Sequence, residues 1–264
     1  MEHMLAKVLG CKRMDLYLMF DRPLSEEELA PLRDLLKKRG QRVPLQHLLG
    51  TVEFCGRVFG CDARGLIARS ETEELVIEAV RRAKEMPAPL WVLDIGTGSG
   101  VIGLSIAAEL GEQVEVVVLV DRSADALALA TENRERLELS TEQVVLGESD
   151  LFSGKVVAKF APYDIIVSNP PYIPSGELAG LQSEVQADPV MALDGGADGL
   201  DLVRKILESA PAMLKPDGFI GLELGKGQAR KVAEIAHHHR LAETAILADM
   251  AGIERFVFAS RLKS

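Results

Sequence analysis

From Pro89 onward, short apolar β-like runs alternate with helical stretches, and this alternation constrains the fold more than any other feature of the chain. Residues 91–95, 114–120, 144–146, 164–168 and 219–224 are strand-like, with helical patterns near 100–110, 123–137, 199–215 and 227–239 between several of them. Strands that read as nearly continuous apolar runs are buried on both faces. The pattern therefore predicts an α/β fold, a mostly parallel sheet with helices on both sides. Two further β-like runs within residues 246–260, separated by Met250-Ala251-Gly252, predict an antiparallel hairpin at the end of that sheet.

The beginning of the chain reads differently. Residues 1–50 suggest short helices: Ser25 and Glu28 have the spacing of a capping box, followed by Leu29, Leu32 and Leu36 at helical intervals. Pro31 within that stretch calls for a kink or a later start. Lys37, Lys38 and Arg39 fall in the last turn, where cations suit the helix dipole and where they could also meet an acidic partner. Residues 51–68 alternate apolar and polar around Gly56 and Gly60, as a β-hairpin does. Ser70 and Glu73 repeat the capping-box spacing ahead of Leu75, Val76 and Val80. The expected organisation is a helical domain over 1–50, a hairpin linker over 51–70 and an α/β domain over 71–264.

Composition narrows the functional classes. With 47% hydrophobic and 27% charged residues the chain is neither fibrous nor disordered. No apolar run approaches the roughly 18 residues of a membrane span, and the N-terminus lacks the features of a secretory signal, so a cytoplasmic protein is expected. Cys11, Cys55 and Cys61 have no paired spacing, which points to small buried thiols rather than a disulfide framework or a zinc site. In a helix His237, His238 and His239 point roughly 100° apart, so they share no metal-binding face and no metal is expected. The first 70 residues hold 12 basic against 9 acidic side chains, the remainder 18 against 31. Such an acidic body disfavours stable nucleic-acid binding.

The chemistry gathers in two loops. Asp94-Ile95-Gly96-Thr97-Gly98-Ser99-Gly100 lies where the first strand turns into the first helix, and ligands of open α/β sheets bind at the carboxyl ends of strands. Gly96, Thr97, Gly98, Ser99 and Gly100 are therefore candidate cofactor contacts. Asp121 ends the next strand, where a carboxylate accepts hydrogen bonds from ribose hydroxyls, and Asp150 closes the third, on the side of an adenine. Two ligands remain open at this point. Gly98, Gly100 and Gly103 satisfy the dinucleotide pattern, with Asp121 18 residues after Gly103. A loop that begins earlier, with Asp94 and Gly96, is more typical of S-adenosylmethionine sites.

The second loop is Ser168-Asn169-Pro170-Pro171-Tyr172, at the end of the fourth strand. Two successive prolines stiffen the exit from the sheet and fix the direction of its carbonyls. A planar amide or aromatic amine needs its N–H groups held by acceptors while its nitrogen faces an electrophilic methyl. The Asn169 side-chain oxygen and the Pro170 carbonyl supply two such acceptors, with Tyr172 packing on the planar group. Catalysis would then rest on positioning at about 3–3.5 Å and on desolvation, with no strong base.

With these residues the chain resembles the peptide chain release factor N5-glutamine methyltransferases. The likeness extends to Pro44-Leu45-Gln46-His47-Leu48-Leu49-Gly50 with Glu53-Phe54, Arg69-Ser70-Glu71-Thr72-Glu73, residues 192–200, and Glu223-Leu224-Gly225 with Gln228. The resemblance implies a Rossmann-like seven-stranded methyltransferase sheet, S-adenosylmethionine as methyl donor, and the glutamine of a Gly-Gly-Gln loop in class I release factors as acceptor. It places Gly96 to Gly100 on the methionine part, Asp121 on the ribose, Leu151 on the adenine side and Asn169, Pro170, Pro171 and Tyr172 around the acceptor. The helical N-terminal part would dock the release factor, and a monomer is expected. Two departures stand out: Ala68-Arg69-Ser70 lacks the prolines that flank this arginine in the family, and Leu151 stands where an aromatic is common. Among alternatives, an adenine-N6 methyltransferase would share the chemistry but should carry a basic surface, a nicotinamide oxidoreductase leaves Asn169 to Tyr172 unexplained, and a nucleotide-holding adaptor has no need of them.

Overall fold

Three short amphipathic segments form helices at the start of the chain, α1 (Glu2–Leu9), α2 (Glu26–Gly40) and α3 (Leu45–Leu49), in a computed structural model that describes residues 1–261. The last three residues of the expected 71–264 domain lie outside the described residues. The Ser25 capping box is formed: Ser25 Oγ accepts from the Glu28 N–H at 3.3 Å and Glu28 Oε2 from the Ser25 N–H at 2.9 Å. The helix does not start later on account of Pro31. Pro31 sits five residues past the first, where its missing N–H leaves the Glu27 carbonyl without a helical donor. Met4, Leu32 and Leu48 close a small core of their own. Arg39 and Arg42 at the end of α2 both reach Glu184, at 3.1 and 3.2 Å, while Lys37 and Lys38 stay exposed. Arg39 therefore joins the helical part to the rest of the molecule.

Next comes an antiparallel hairpin, β1 (Thr51–Phe54) and β2 (Arg57–Gly60), closed by Cys55 and Gly56, both at positive φ as a tight two-residue hairpin turn requires. Phe54 and Phe59 are buried edge to face, ring centroids 6.1 Å apart, in the core of the α/β part. A buried amide also ties the hairpin down: Asn133 Oδ1 accepts from the Gly60 N–H at 2.6 Å, and its Nδ2 donates to the Gly60 carbonyl at 3.2 Å and the Ser99 carbonyl at 2.8 Å. One side chain thus clamps the hairpin onto the glycine loop.

The expected capping box at Ser70 is not formed. The chain stays extended through Arg69, which is the N-cap, and Ser70 is already the first residue of α4 (Ser70–Ala83). Its hydroxyl donates to Glu71, while Glu73 accepts from the Cys55 N–H at 3.1 Å, an otherwise unpaired donor in the hairpin turn.

The α/β part follows as β3 (Leu90–Ile95), α5 (Val101–Leu110), β4 (Val114–Asp121), α6 (Ala124–Arg136), β5 (Val144–Glu148), α7 (Lys155–Phe160), β6 (Tyr163–Ser168), α8 (Asp201–Met213), β7 (Leu214–Glu223), α9 (Ala229–His238), β8 (Leu241–Ala248) and β9 (Glu254–Arg261). The sheet order is β5-β4-β3-β6-β7-β9-β8; β3 to β7 run parallel, and β9 lies antiparallel between β7 and β8. This is the expected seven-stranded sheet with a terminal hairpin. The main differences from the sequence pattern are three. The six-residue α7 is too short to show a period, the early start of β7 at Leu214 is hidden by the polar Lys215-Pro216-Asp217-Gly218, and β8 begins at Leu241 rather than 246. Apolar clusters fill both faces: Leu75, Leu104 and Val117 on the α4–α5 side, Val118, Ile166, Leu207 and Val232 on the other. Among the described residues no helix is long and apolar enough to cross a membrane.

Truncating Asn133 to Ala strands three backbone groups next to the buried Gly60 and Ser99 positions. It should lower unfolding free energy by about 2–3 kcal/mol, read as a lower urea midpoint at unchanged slope; a loss under about 0.5 kcal/mol would show that water replaces the clamp.

Candidate active site

The strand order reverses between β3 and β6, and at such a point the crevice beyond the carboxyl ends is open to a ligand. A cleft of about 800 Å³, its mouth included, lies there, walled by the ends of β3, β4 and β6, the chain just past β5, linker residues 64–66, residues 189–192 and α8. Of the sequence candidates, Gly96, Gly98, Asp121, Asp150, Leu151, Asn169, Pro170 and Pro171 line it.

The glycines divide into two kinds. Gly96 and Gly98 have positive φ, and a Cβ built on either would meet no atom within 4 Å, so their backbone fronts open space. Gly100 is covered: a Cβ there would meet Leu104 Cδ1 at 2.8 Å and Ala130 Cβ at 3.1 Å. At Gly103 it would meet Leu119 at 2.9 Å and Asp94 at 3.0 Å, so that glycine serves helix-to-sheet packing. In the dinucleotide pattern the middle glycine, here Gly100, opens onto the pyrophosphate. Leu104 and Ala130 fill that place instead, and the open pair is the one that belongs to the earlier-starting loop.

Buried polar groups hold this loop in place. The Gly96 and Thr97 N–H groups donate to the Val120 carbonyl at 2.8 and 2.9 Å. Asp94, fully buried, accepts through Oδ2 from Thr97 Oγ1 at 2.6 Å and the Gly103 N–H at 2.9 Å, while its Oδ1 has no partner. Burial pushes its carboxyl up to about 6. Thr97 and Ser99 are thus buried within the loop, and with Gly100 they shape it from behind rather than lining the cleft. Asp121 does line it, accepting from the Gly98 N–H through Oδ2 and the Ser123 N–H through Oδ1, both at 2.9 Å. Each oxygen keeps a lone-pair site for a further donor. Past β5, Ser149 Oγ donates to the Leu151 carbonyl at 2.6 Å and accepts from the Gly154 N–H at 2.8 Å. These bonds hold Leu151 at φ 52°, a conformation that costs a non-glycine residue about 1–2 kcal/mol. Asp150 is exposed at the rim.

The second loop is fixed as firmly. Ser168 Oγ donates to the Ile95 carbonyl at 2.7 Å, locking the ends of β6 and β3 together. Asn169 lines the main cleft and also an adjoining recess of about 380 Å³, where it meets Tyr172, Leu66, Arg69 and Val185. Tyr172 faces that recess and not the main cleft; burial and nearby Glu223 push its hydroxyl up to about 12. Gln228 clasps the loop from the other side, donating from Nε2 to the Tyr172 carbonyl at 2.9 Å and accepting the Gly225 N–H through Oε1 at 2.9 Å. Residues 192–200 fold back on it, with the Ile173 N–H on the Leu193 carbonyl at 3.1 Å and the Gly195 N–H on the Ile173 carbonyl at 2.8 Å. A Cβ at Gly195 would sit 2.7 Å from the Pro171 carbonyl, and one at Gly199 would strike that of Tyr172. These glycines are present because two backbones touch.

Several participants escaped sequence reasoning. Thr72, buried on α4, accepts from Asn169 Nδ2 at 3.4 Å, and both side chains act on the carboxyl of Glu223, buried at the end of β7, to favour its ionised form. Buried Asp188 accepts from the Ile67 N–H at 3.2 Å and Arg69 Nη2 at 3.4 Å, which braces the linker where prolines are lacking. Nothing periodic marks these residues; Thr72 and Glu223 stand in the family-like segments at 69–73 and 223–228, and Asp188 stands in none of them. Burial pushes the Cys61 thiol up to about 12, which removes it as a nucleophile.

A model described as the PrmC N-terminal domain matches residues 1–50, and one described as the methyltransferase small domain matches residues 74–183. The chain is 44% identical over 257 residues to a release factor glutamine methyltransferase of Geobacter sulfurreducens, covering 97% of this chain and 87% of that one. A protein of the same description from Deinococcus radiodurans is 38% identical over 260 residues, 98% and 89% of the two chains. Among solved structures, a methyltransferase from Pyrococcus furiosus aligns with a TM-score of 0.53 at 17% identity, over 78% of this chain and 89% of its own, a likeness of fold.

Asp94 makes the electrostatics testable without any ligand. Its folded carboxyl lies above the ordinary 3.8, at about 6, so the stability it contributes when protonated is present below about 4 and lost as pH rises through about 6. Asp94→Asn keeps an acceptor for Thr97 and Gly103 without the charge. The stability of the variant relative to wild type should therefore rise by about 2–3 kcal/mol between pH 4 and 7.5; a gap independent of pH would mean the buried carboxyl is not shifted.

Proposed function

The chain belongs to the release factor glutamine methyltransferase family, and from that premise we propose that it transfers a methyl group from S-adenosylmethionine to the side-chain amide nitrogen of the glutamine in the Gly-Gly-Gln loop of class I release factors. The observation that carries this reading is the position of Asn169, which with the apolar Leu66 and Ala192 is shared by the glycine-fronted cleft and the recess that holds Tyr172, and is the polar group among the three. An acceptor amide entering through the recess would meet Asn169 where it faces a donor held in the cleft.

The residues present suit such a donor. The open backbone at Gly96 and Gly98 leaves room for its amino-acid part, the spare lone pairs of Asp121 suit ribose hydroxyls, and Leu151 with Asp150 borders the place of the adenine. The donor supplies a methyl carbon on a sulfonium sulfur. What the chain does is orient: Asn169 Oδ1 and the Pro170 carbonyl accept the two amide N–H bonds, which turns the nitrogen lone pair toward the methyl, and Tyr172 confines the planar group. As the N–C bond forms the S–C bond breaks with its electrons on sulfur, and the nitrogen releases one proton to solvent. No base is needed before transfer, because the positively charged nitrogen becomes strongly acidic only as the bond forms. Geometry and exclusion of water carry the rate.

In this reading residues 71–264 are the methyltransferase domain, residues 51–70 the linker, and residues 1–50 a docking domain for the folded release factor. Lys37 and Lys38 are its exposed basic contacts, Lys38 paired with Asp34 one turn earlier at 2.8 Å and Arg39 committed to Glu184. An adenine acceptor would need a basic surface on the α/β part, whose charge is acidic.

The test is to incubate the protein with methyl-labelled donor and either purified release factor or DNA. Label should enter the release factor alone, and Asn169→Ala should lower kcat by at least about a hundredfold while donor affinity stays within about twofold. Labelled DNA, or an Ala variant that still turns over, would reject the reading.

A further inference from the structure

Glu223 is buried at the end of β7, one of its oxygens has no hydrogen-bond partner, and the proposed chemistry leaves it without a role. A carboxylate out of water is costly unless something requires it. Its surroundings show what that is. Thr72 of α4 and Asn169 of the β6 loop both act on its carboxylate in the direction that favours the ionised form, and Asn169 Nδ2 is 3.4 Å from Thr72 Oγ1. From the remaining elements it is faced by Arg255 of β9, itself bound to Asp249 at 2.5 Å, by Glu71 of α4 and by the Tyr172 ring.

We propose that Glu223 is a positioning residue that, with Thr72, fixes which way round the Asn169 carboxamide sits. The proposal rests on the reading of Asn169 as the acceptor-holding group. An asparagine amide has two faces of nearly equal shape: oxygen toward the acceptor holds it, NH₂ toward the acceptor repels its N–H groups. An ionised Glu223 only accepts. It accepts hydrogen bonds from the Thr72 hydroxyl and from an Asn169 N–H, so Thr72 Oγ1 is left with only lone pairs toward Asn169. Both partners then demand NH₂ from Asn169, and Oδ1 is turned toward the cleft. A protonated Glu223 becomes a donor, frees the Thr72 hydroxyl to rotate and removes the preference. Burial, with smaller opposing contributions from Thr72 and Arg255, pushes the Glu223 carboxyl up to about 7. The competent form is the ionised one, so turnover should fall as pH drops through about 7.

The experiment measures kcat, KM for release factor and donor affinity between pH 5.5 and 8.5 for wild type, Glu223→Gln, Thr72→Val and Thr72→Ser. The proposal expects kcat about ten- to a hundredfold lower in Glu223→Gln and Thr72→Val, donor affinity and KM within about twofold, and the fall below pH 7 abolished in Glu223→Gln. Thr72→Ser, which keeps the hydroxyl, should restore most of what Thr72→Val loses. Wild-type kcat with an unchanged pH profile in Glu223→Gln and Thr72→Val overturns the proposal. If Glu223→Gln does not fold, the Val and Ser pair decides it. Should Asn169→Ala itself remain active, the reading of the site fails first; if it is inactive while these variants are not, only the positioning role fails.

Discussion

Everything in the site depends on the pairing of β3 with β6. The two strands are joined in parallel through Val92↔Ile165 to Ile95↔Ser168, and the Ser168 hydroxyl adds a bond to the Ile95 carbonyl. Because both strands end together, the loops that leave them start one strand spacing apart, about 4.8 Å. The glycine loop and the Asn169 corner are thereby held face to face across a cleft. No flexible segment is needed to bring the two loops together.

Around that pairing, buried polar side chains take over what backbone ladders cannot do in loops. Asn133 binds the hairpin to the glycine loop, Gln228 binds the Asn169 corner to the turn after β7, and Asp188 binds the linker to the segment that covers the cleft. Each satisfies main-chain groups that would otherwise be buried without partners. Asp94 and Glu223 differ: each keeps one buried oxygen unpartnered, and burial raises both carboxyls. Such groups cost stability, and both stand behind the loops that wall the cleft, Asp94 through Thr97 and Glu223 beside Asn169.

Much of this was legible in the sequence because the governing patterns are local. The Val-rich runs gave away the central strands, Gly96 and Gly98 the open loop, and Pro170-Pro171 the stiff corner. The division of labour among the glycines was not legible, since whether Gly100 faces ligand or Leu104 depends on how α5 and α6 pack. Nor were Thr72 and Glu223, which lie 97 and 54 positions from Asn169 and meet it only because α4 and β7 converge on the end of β6. The false capping box at Ser70 has the same origin: its spacing was right, but a tertiary partner, the Cys55 N–H, took the Glu73 carboxylate.

The most direct measurement is a crystal structure with S-adenosylhomocysteine bound. The product should lie along Gly96 and Gly98, its ribose hydroxyls on Asp121, its sulfur facing Asn169 across the entrance to the Tyr172 recess. A ligand seated elsewhere, or one whose sulfur is turned away from Asn169, would contradict this description of the enzyme.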